Sequence, residues 1–293
     1  MFTGSIPALV TPFTADGSFA EKPFRDFVEW QIAEGSSALV PCGTTGESAT
    51  MDFAEHFEVV RICVDQARGR VPVIAGAGSN DTRIAIKNAQ AAKQAGADCA
   101  LMVPPYYNRP SQEGIFQHFA AVAEACDLPV MLYNVPGRTV TDILPDTMGR
   151  LVKAYPQIFV AVKDATGSLT RVSQQRAACG PDWCQLSGND ETAIAFTATG
   201  GVGCVSVTAN VAPRLCAEFQ AALAEGNYAK ALTYQDTLFA LHTAMFADAS
   251  PGPAKYAVSK VIPGFPTALR LPMTPANEAA RAAVDAAMAA AGI

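Results

Sequence analysis

The sequence predicts an α/β chain folded as a (β/α)8 barrel with a helical C-terminal domain, on three observations. Short apolar runs rich in β-branched residues alternate with longer amphipathic stretches eight times, from residue 5 to about residue 224. These runs are continuously apolar, the pattern of parallel strands covered on both faces by crossover helices. Beyond residue 224 the strand signal stops, and prolines punctuate helical stretches instead. Residues 1–224 are therefore expected to form the barrel and residues 225–293 a helical domain. A doubly wound open sheet is the alternative arrangement of the same units.

Taken in order, the expected strands cover 6–10, 38–41, 71–75, 99–103, 130–133, 158–163, 184–188 and 203–207. Amphipathic periodicity places helices over 22–34, 52–67, 81–95, 112–125, 145–154 and 169–178. Residues 192–213 carry no charge, but Gly200, Gly201, Gly203 and Asn210 interrupt the run. That stretch reads as helix, turn and buried strand, and no membrane span is expected. Helices over 226–246, 253–261 and 274–291 follow, separated by Pro251, Pro263, Pro266 and Pro272.

Half of the 293 residues are hydrophobic and 16% are charged, enough apolar content for one large core and too much for a disordered chain. The net charge is −6, and the 21 basic residues form no cluster, which argues against nucleic-acid binding. The N-terminal residues lack a basic segment followed by an apolar one, so no secretion signal is visible and a cytoplasmic location is expected. Cysteines at 42, 63, 99, 126, 179, 184, 204 and 216 include no C-x-x-C pair and read as reduced, core-filling thiols. His56, His118 and His242 lack the spacing of a zinc site. Gly76-Ala77-Gly78 is not followed by the third glycine of a dinucleotide fingerprint. Neither a metal nor an organic cofactor is expected.

Barrel enzymes place their chemistry where the strands end, at the C-terminal mouth. Four strand ends carry reactive residues: Gly43-Thr44-Thr45-Gly46-Glu47-Ser48, Pro104-Pro105-Tyr106-Tyr107-Asn108, Tyr133-Asn134-Val135-Pro136-Gly137-Arg138-Thr139, and the run that closes on Lys163. Glycines in the first of these let backbone amides approach an anion. A lysine ending an apolar strand is a candidate nucleophile, since desolvation favours the neutral amine that attacks a ketone or aldehyde. Each residue also has a plainer role: Lys163 reaching to solvent, Tyr133 packing, Thr44 and Thr45 shaping a turn, Arg138 in a surface ion pair. Taken together, an amine, phenols, paired hydroxyls and a guanidinium suit imine chemistry on a keto acid.

Those motifs, with Lys163-Asp164-Ala165-Thr166-Gly167 and Ser206-Val207-Thr208-Ala209-Asn210, closely resemble the dihydrodipicolinate synthase family of class I pyruvate aldolases and lyases. The resemblance runs from Phe2 to Pro275 and implies a (β/α)8 barrel with a C-terminal helical domain, assembled as a homotetramer of two tight dimers. It implies that Lys163 forms an imine with pyruvate and that the derived enamine attacks L-aspartate 4-semialdehyde. Cyclisation would then give 4-hydroxy-tetrahydrodipicolinate, the first committed step towards lysine and diaminopimelate. By the same resemblance Tyr133, Thr44 and Tyr107 form a proton relay, with Tyr107 crossing the tight-dimer interface. Thr45 contacts the pyruvate carboxylate, the Val205 carbonyl faces bound pyruvate, Gly188 belongs to the substrate site, and Arg138 receives the semialdehyde carboxylate.

Family members inhibited by L-lysine hold it in an interface cleft, and Ser48, Ala49, His56, Gly78, Asn80 and Tyr106 match that cleft. Phe53 stands where a strongly inhibited enteric-type enzyme has His, and Ile84 where it has Glu. A buried ammonium without such partners is strongly disfavoured, so weak or absent lysine inhibition is expected. Two alternatives stay open. N-acetylneuraminate lyase and keto-deoxy sugar acid aldolases share the barrel and the lysine, and a non-catalytic barrel could sense a keto acid.

Overall fold

The computed structural model describes residues 2–293. Seven strands, β1 (Gly4–Pro7), β2 (Ile74–Gly76), β3 (Cys99–Met102), β4 (Val130–Asn134), β5 (Phe159–Asp164), β6 (Cys184–Ser187) and β7 (Gly203–Ser206), pair in parallel in the order β1-β7-β6-β5-β4-β3-β2. The expected strand at 38–41 fills the space between β1 and β2, but only through single bridges, Ala8 to Val40 and Leu39 to Val73. The Val40 N–H donates to the Pro7 carbonyl (3.0 Å), and the Leu9 N–H returns to Val40 (2.9 Å). On the other side Leu39 donates to Pro72 (2.9 Å) and Ile74 to Leu39 (2.8 Å). Pro7, Pro41 and Pro72 carry no N–H, so each removes one donor from these ladders, which continue only through Ser37 donating to Ser5 (2.9 Å) and Gly76 to Pro41 (3.0 Å). The ring is nevertheless closed. It is a (β/α)8 barrel, and the open-sheet alternative fails at this closure.

The outer layer consists of α1 (Glu21–Ala33), α2 (Phe53–Ala67), α3 (Thr82–Gln94), α4 (Gln112–Ala125), α5 (Pro136–Thr139), α6 (Pro145–Ala154), α7 (Thr170–Cys179), α8 (Ala193–Ala198) and α9 (Pro213–Ala224). Asp52, Asp81 and Ser111 cap α2, α3 and α4 by accepting from Glu55, Arg83 and Gly114 N–H groups. The uncharged stretch 192–213 folds as α8, β7 and a 3-10 turn at Thr208–Asn210. Then α10 (Tyr228–Ala244), α11 (Gly252–Val261) and α12 (Glu278–Ala290) follow without a strand. The last helix begins at Glu278, not at 274, because the Asn277 side chain caps it by accepting from Ala280. No helix among the described residues is long and apolar enough to cross a membrane.

Alternation along the strands divides the core. Phe159 and Val162 of β5, with Val130 and Leu132 of β4, face the helices. Ala161, Met131 and Tyr133 face the barrel axis beside Ile6, Val40, Ile74, Leu186 and Val205. The period of two therefore turns Lys163 into the barrel and Asp164 towards the helices. All eight cysteines are free, and seven of them are buried. Burial pushes thiols such as Cys63 and Cys99 well above their ordinary range, which suits a packing role.

Candidate active site

Tyr133 and Lys163 stand directly opposite each other in the β4–β5 register. The Lys163 side chain is buried, with the residue only 6% exposed, and its Nζ lies 4.1 Å from the centroid of the Tyr133 ring. None of the described carboxylates forms a salt bridge with this amine. The residues immediately after each of the two are fixed on the opposite face. Asp164 accepts from Arg171 Nε (3.1 Å), Gln175 Nε2 (2.5 Å) and Thr166 Oγ1 (2.6 Å). Arg171 also reaches Asp142 (3.2 Å), and Asp142 accepts from Asn134 Nδ2 (2.7 Å). This polar network anchors the ends of β4 and β5, and strand geometry does the rest by turning Tyr133 and Lys163 inward.

Gly188 follows β6 and donates its N–H to the Asp164 carbonyl (2.7 Å). A Cβ there would meet the Ala165 Cβ at 2.6 Å, so only glycine lets β6 come this close to the lysine-bearing loop. Val205 lies in β7, fully enclosed on the axial side of the barrel.

A cavity of about 720 Å³ opens above this pair, lined by Thr44, Tyr107, Tyr133 and Arg138 among others. Thr45, Lys163, Gly188 and Val205 are not among its lining residues; Thr45, Lys163 and Val205 are buried. Arg138 projects from α5, a single turn that the sequence reading did not anticipate; Pro136 starts it at the position where a missing N–H costs nothing. Tyr107 is 90% exposed and held at φ 71°, a left-handed conformation unusual for a bulky residue.

The same cavity continues over Ser48, Ala49, His56, Gly78 and Tyr106. Asn80 is not among its lining residues; its carbonyl accepts from Asn108 Nδ2 (2.9 Å). Phe53 and Ile84 both line this lobe, and Lys87, which the sequence reading missed, sets its Nζ 3.7 Å from the Phe53 ring centroid. Burial pushes the His56 imidazole below its ordinary range, partly offset by a hydrogen bond involving the Gly76 backbone.

Lys255 was also missed. It is wholly buried in α11 and pairs with Glu47 at 2.5 Å, directly below the loop that carries Thr44 and Thr45. Its signal in the sequence is a lone cation within Pro253-Ala254-Lys255-Tyr256-Ala257-Val258, a run otherwise suited to a core.

An enclosed amine beside a phenol, with hydroxyls and a guanidinium at the mouth, can capture a carbonyl compound, move its protons and hold its carboxylate. The model of the dihydrodipicolinate synthetase family matches residues 1–291. The chain is 65% identical to the 4-hydroxy-tetrahydrodipicolinate synthase of Rhizorhabdus wittichii and 61% identical to that of Novosphingobium aromaticivorans, covering 100% of this chain in both cases and 100% and 99% of the relatives. It also superimposes on the chloride-inhibited dihydrodipicolinate synthase of Acinetobacter baumannii, complexed with pyruvate, with a TM-score of 0.96, 42% identity and full coverage of both chains. Fold and whole-length likeness agree, and the chain belongs to the dihydrodipicolinate synthetase family.

Proposed function

We propose that the chain is a lyase that condenses pyruvate with L-aspartate 4-semialdehyde to form 4-hydroxy-tetrahydrodipicolinate. The observation that carries this reading is the 65% identity, over the whole of both chains, to a relative bearing that name. An assay with both substrates should yield the cyclic product, with N-acetylneuraminate left uncleaved in a parallel run. Cleavage of N-acetylneuraminate without condensation would overturn the reading in favour of a sugar acid aldolase.

In this mechanism the Lys163 amine adds to the pyruvate carbonyl and water leaves, giving the imine. Loss of a methyl proton gives the enamine, whose carbon attacks the aldehyde. The amino group of the bound semialdehyde then displaces Lys163 as the ring closes. Tyr133, Thr44 and Tyr107 carry protons through these steps, and the exposed, left-handed Tyr107 serves the site of a neighbouring subunit in a tight dimer. Thr45 and the Val205 carbonyl hold pyruvate, and Gly188 keeps the floor of the site open. We read residues 1–224 as the catalytic barrel, residues 225–293 as its helical domain, the assembly as a homotetramer, and its location as the cytoplasm.

Arg138 projects on α5 at the rim and receives the semialdehyde carboxylate. Arg138→Ala should raise the KM for the semialdehyde by on the order of 10²-fold, the worth of a charge-assisted pair, while borohydride trapping of pyruvate persists. Steady-state kinetics in each substrate separate these effects. Normal semialdehyde kinetics would place that carboxylate elsewhere.

The adjoining lobe offers a lysine ligand an aromatic ring already covered by Lys87 and the aliphatic wall of Ile84. A second ammonium entering there meets a like charge and no carboxylate from Ile84. Titrating L-lysine at saturating substrates should therefore leave activity nearly unchanged below millimolar concentrations, and Phe53→His with Ile84→Glu should create or strengthen inhibition. Strong inhibition of the unmodified enzyme at sub-millimolar lysine would refute this.

A further inference from the structure

The loop from Cys42 to Glu47 is bounded by two non-glycine residues in the left-handed region, Cys42 at φ 55° and Glu47 at φ 59°. Thr44 and Thr45 lie between them. Such conformations persist only where the surroundings over-determine them. At the Cys42 end, β2 presses close: a Cβ on Gly76 would meet the Cys42 carbonyl oxygen at 2.0 Å. At the Glu47 end the restraint comes from more than 200 residues away in sequence. Lys255 of α11 sets its Nζ 2.5 Å from Glu47 Oε1, and the Arg270 N–H donates to Glu47 Oε2 at 3.2 Å.

Neither cation is free to move. Lys255 Nζ also donates to the Ala268 carbonyl (2.7 Å) and lies 4.4 Å from the Phe13 ring centroid. The Arg270 guanidinium sits 4.0 Å from the same ring, pairs with Glu55 through both terminal nitrogens (2.5 Å each), and donates to the Gly17 and Thr50 carbonyls. Thr50 in turn donates its N–H and its hydroxyl to the Glu47 carbonyl, each at 3.1 Å. Glu47 is thus gripped at both carboxylate oxygens and at its backbone, and its own N–H donates to the Thr44 carbonyl at 3.1 Å. That last bond connects the grip to the hydroxyl-bearing residues.

We infer that the Lys255–Glu47 pair, supported by Arg270, is a positioning device through which the C-terminal helical part holds Thr44 and Thr45 in register with Lys163 for pyruvate capture. The inference rests on the functional reading above. A buried ion pair is weak evidence of stabilisation, because desolvating two charges offsets most of their attraction. Its location accounts for it better: it closes the strained end of the loop that carries Thr44 and Thr45. Burial drives the Lys255 ammonium below its ordinary range, and the neighbouring Glu47 works against that shift.

The test compares the wild type with Lys255→Met and with Lys255→Met/Glu47→Gln, in which both charges are gone. For each protein, active sites are counted by borohydride-trapped pyruvate, and kcat and both KM values are measured per active site. Lys255→Met leaves Glu47 buried without its cation and should melt earlier. The double variant should recover most of that loss, since an uncharged pair of similar size tolerates burial. In both variants kcat/KM for pyruvate should fall by on the order of 10²-fold, the scale of a misplaced binding group, while the KM for the semialdehyde, set from α5, stays within about twofold. A double variant with wild-type pyruvate kinetics overturns the inference. So does a loss that disappears once rates are expressed per trapped active site, because a merely structural pair would act only on the number of folded sites. A wild-type chain that traps no pyruvate overturns the functional reading together with this inference. One that traps pyruvate and is matched by both variants overturns the inference alone.

Discussion

Replacing Lys163 by alanine is expected to abolish pyruvate trapping and to lower turnover by at least about 10⁴-fold, the scale of loss when a covalent nucleophile is removed. The amine sits on the inner face of β5, opposite Tyr133, and no carboxylate among the described residues holds it as a salt bridge. Its removal therefore breaks no ion pair, and the variant should melt close to the wild type. Intact-mass measurement after borohydride reduction reads the chemistry directly: one pyruvate adduct per wild-type chain and none on the variant. Lys163→Arg adds a second check, because guanidinium keeps the charge but offers no neutral amine. An adduct that survives Lys163→Ala would move the nucleophile to another lysine and remove the mechanism proposed here.

The placement of Lys163 at the end of β5 was legible in the sequence, because an apolar strand that ends in a lysine breaks the buried pattern. That Tyr133 and Thr44 face one cavity was legible in the same way, each standing at or just beyond a strand end. The eight-fold alternation was equally visible, since it depends only on local periodicity. What sequence reading blurred were features set by long-range packing. The stave at 38–41 has ordinary strand composition, yet its ladders each lose a donor to Pro7 or Pro72, which lie elsewhere in the chain, and it pairs only through single bridges. The single turn of α5 is too short for a periodic signal, although it presents Arg138. Lys255 and Glu47 meet across about 200 residues, and neither residue's neighbours announce the other. Lys87 reads as one more cation on an exposed helix until Phe53 is seen beneath it.

Tyr133→Phe should slow turnover by about 10²–10⁴-fold, the usual worth of a well-placed proton donor and acceptor, while leaving the fold intact. The substitution is informative because of what it preserves. The ring stays on the axial face of β4, so the packing around Met131 and Val135 and the contact between ring and Lys163 Nζ at 4.1 Å are kept. Only the hydroxyl is lost. A fall in kcat with an unchanged melting temperature therefore reports proton transfer, not collapse of the site. Borohydride trapping divides the effect further. If Tyr133 moves protons in imine formation, the adduct should form more slowly yet reach one per chain at long times, because Lys163 is untouched. If it served only as packing, trapping rate and kcat would both match the wild type, and the proton relay would have to run without it. Thr44→Val, compared under the same conditions, should lie in the same direction, since Thr44 lines the same cavity.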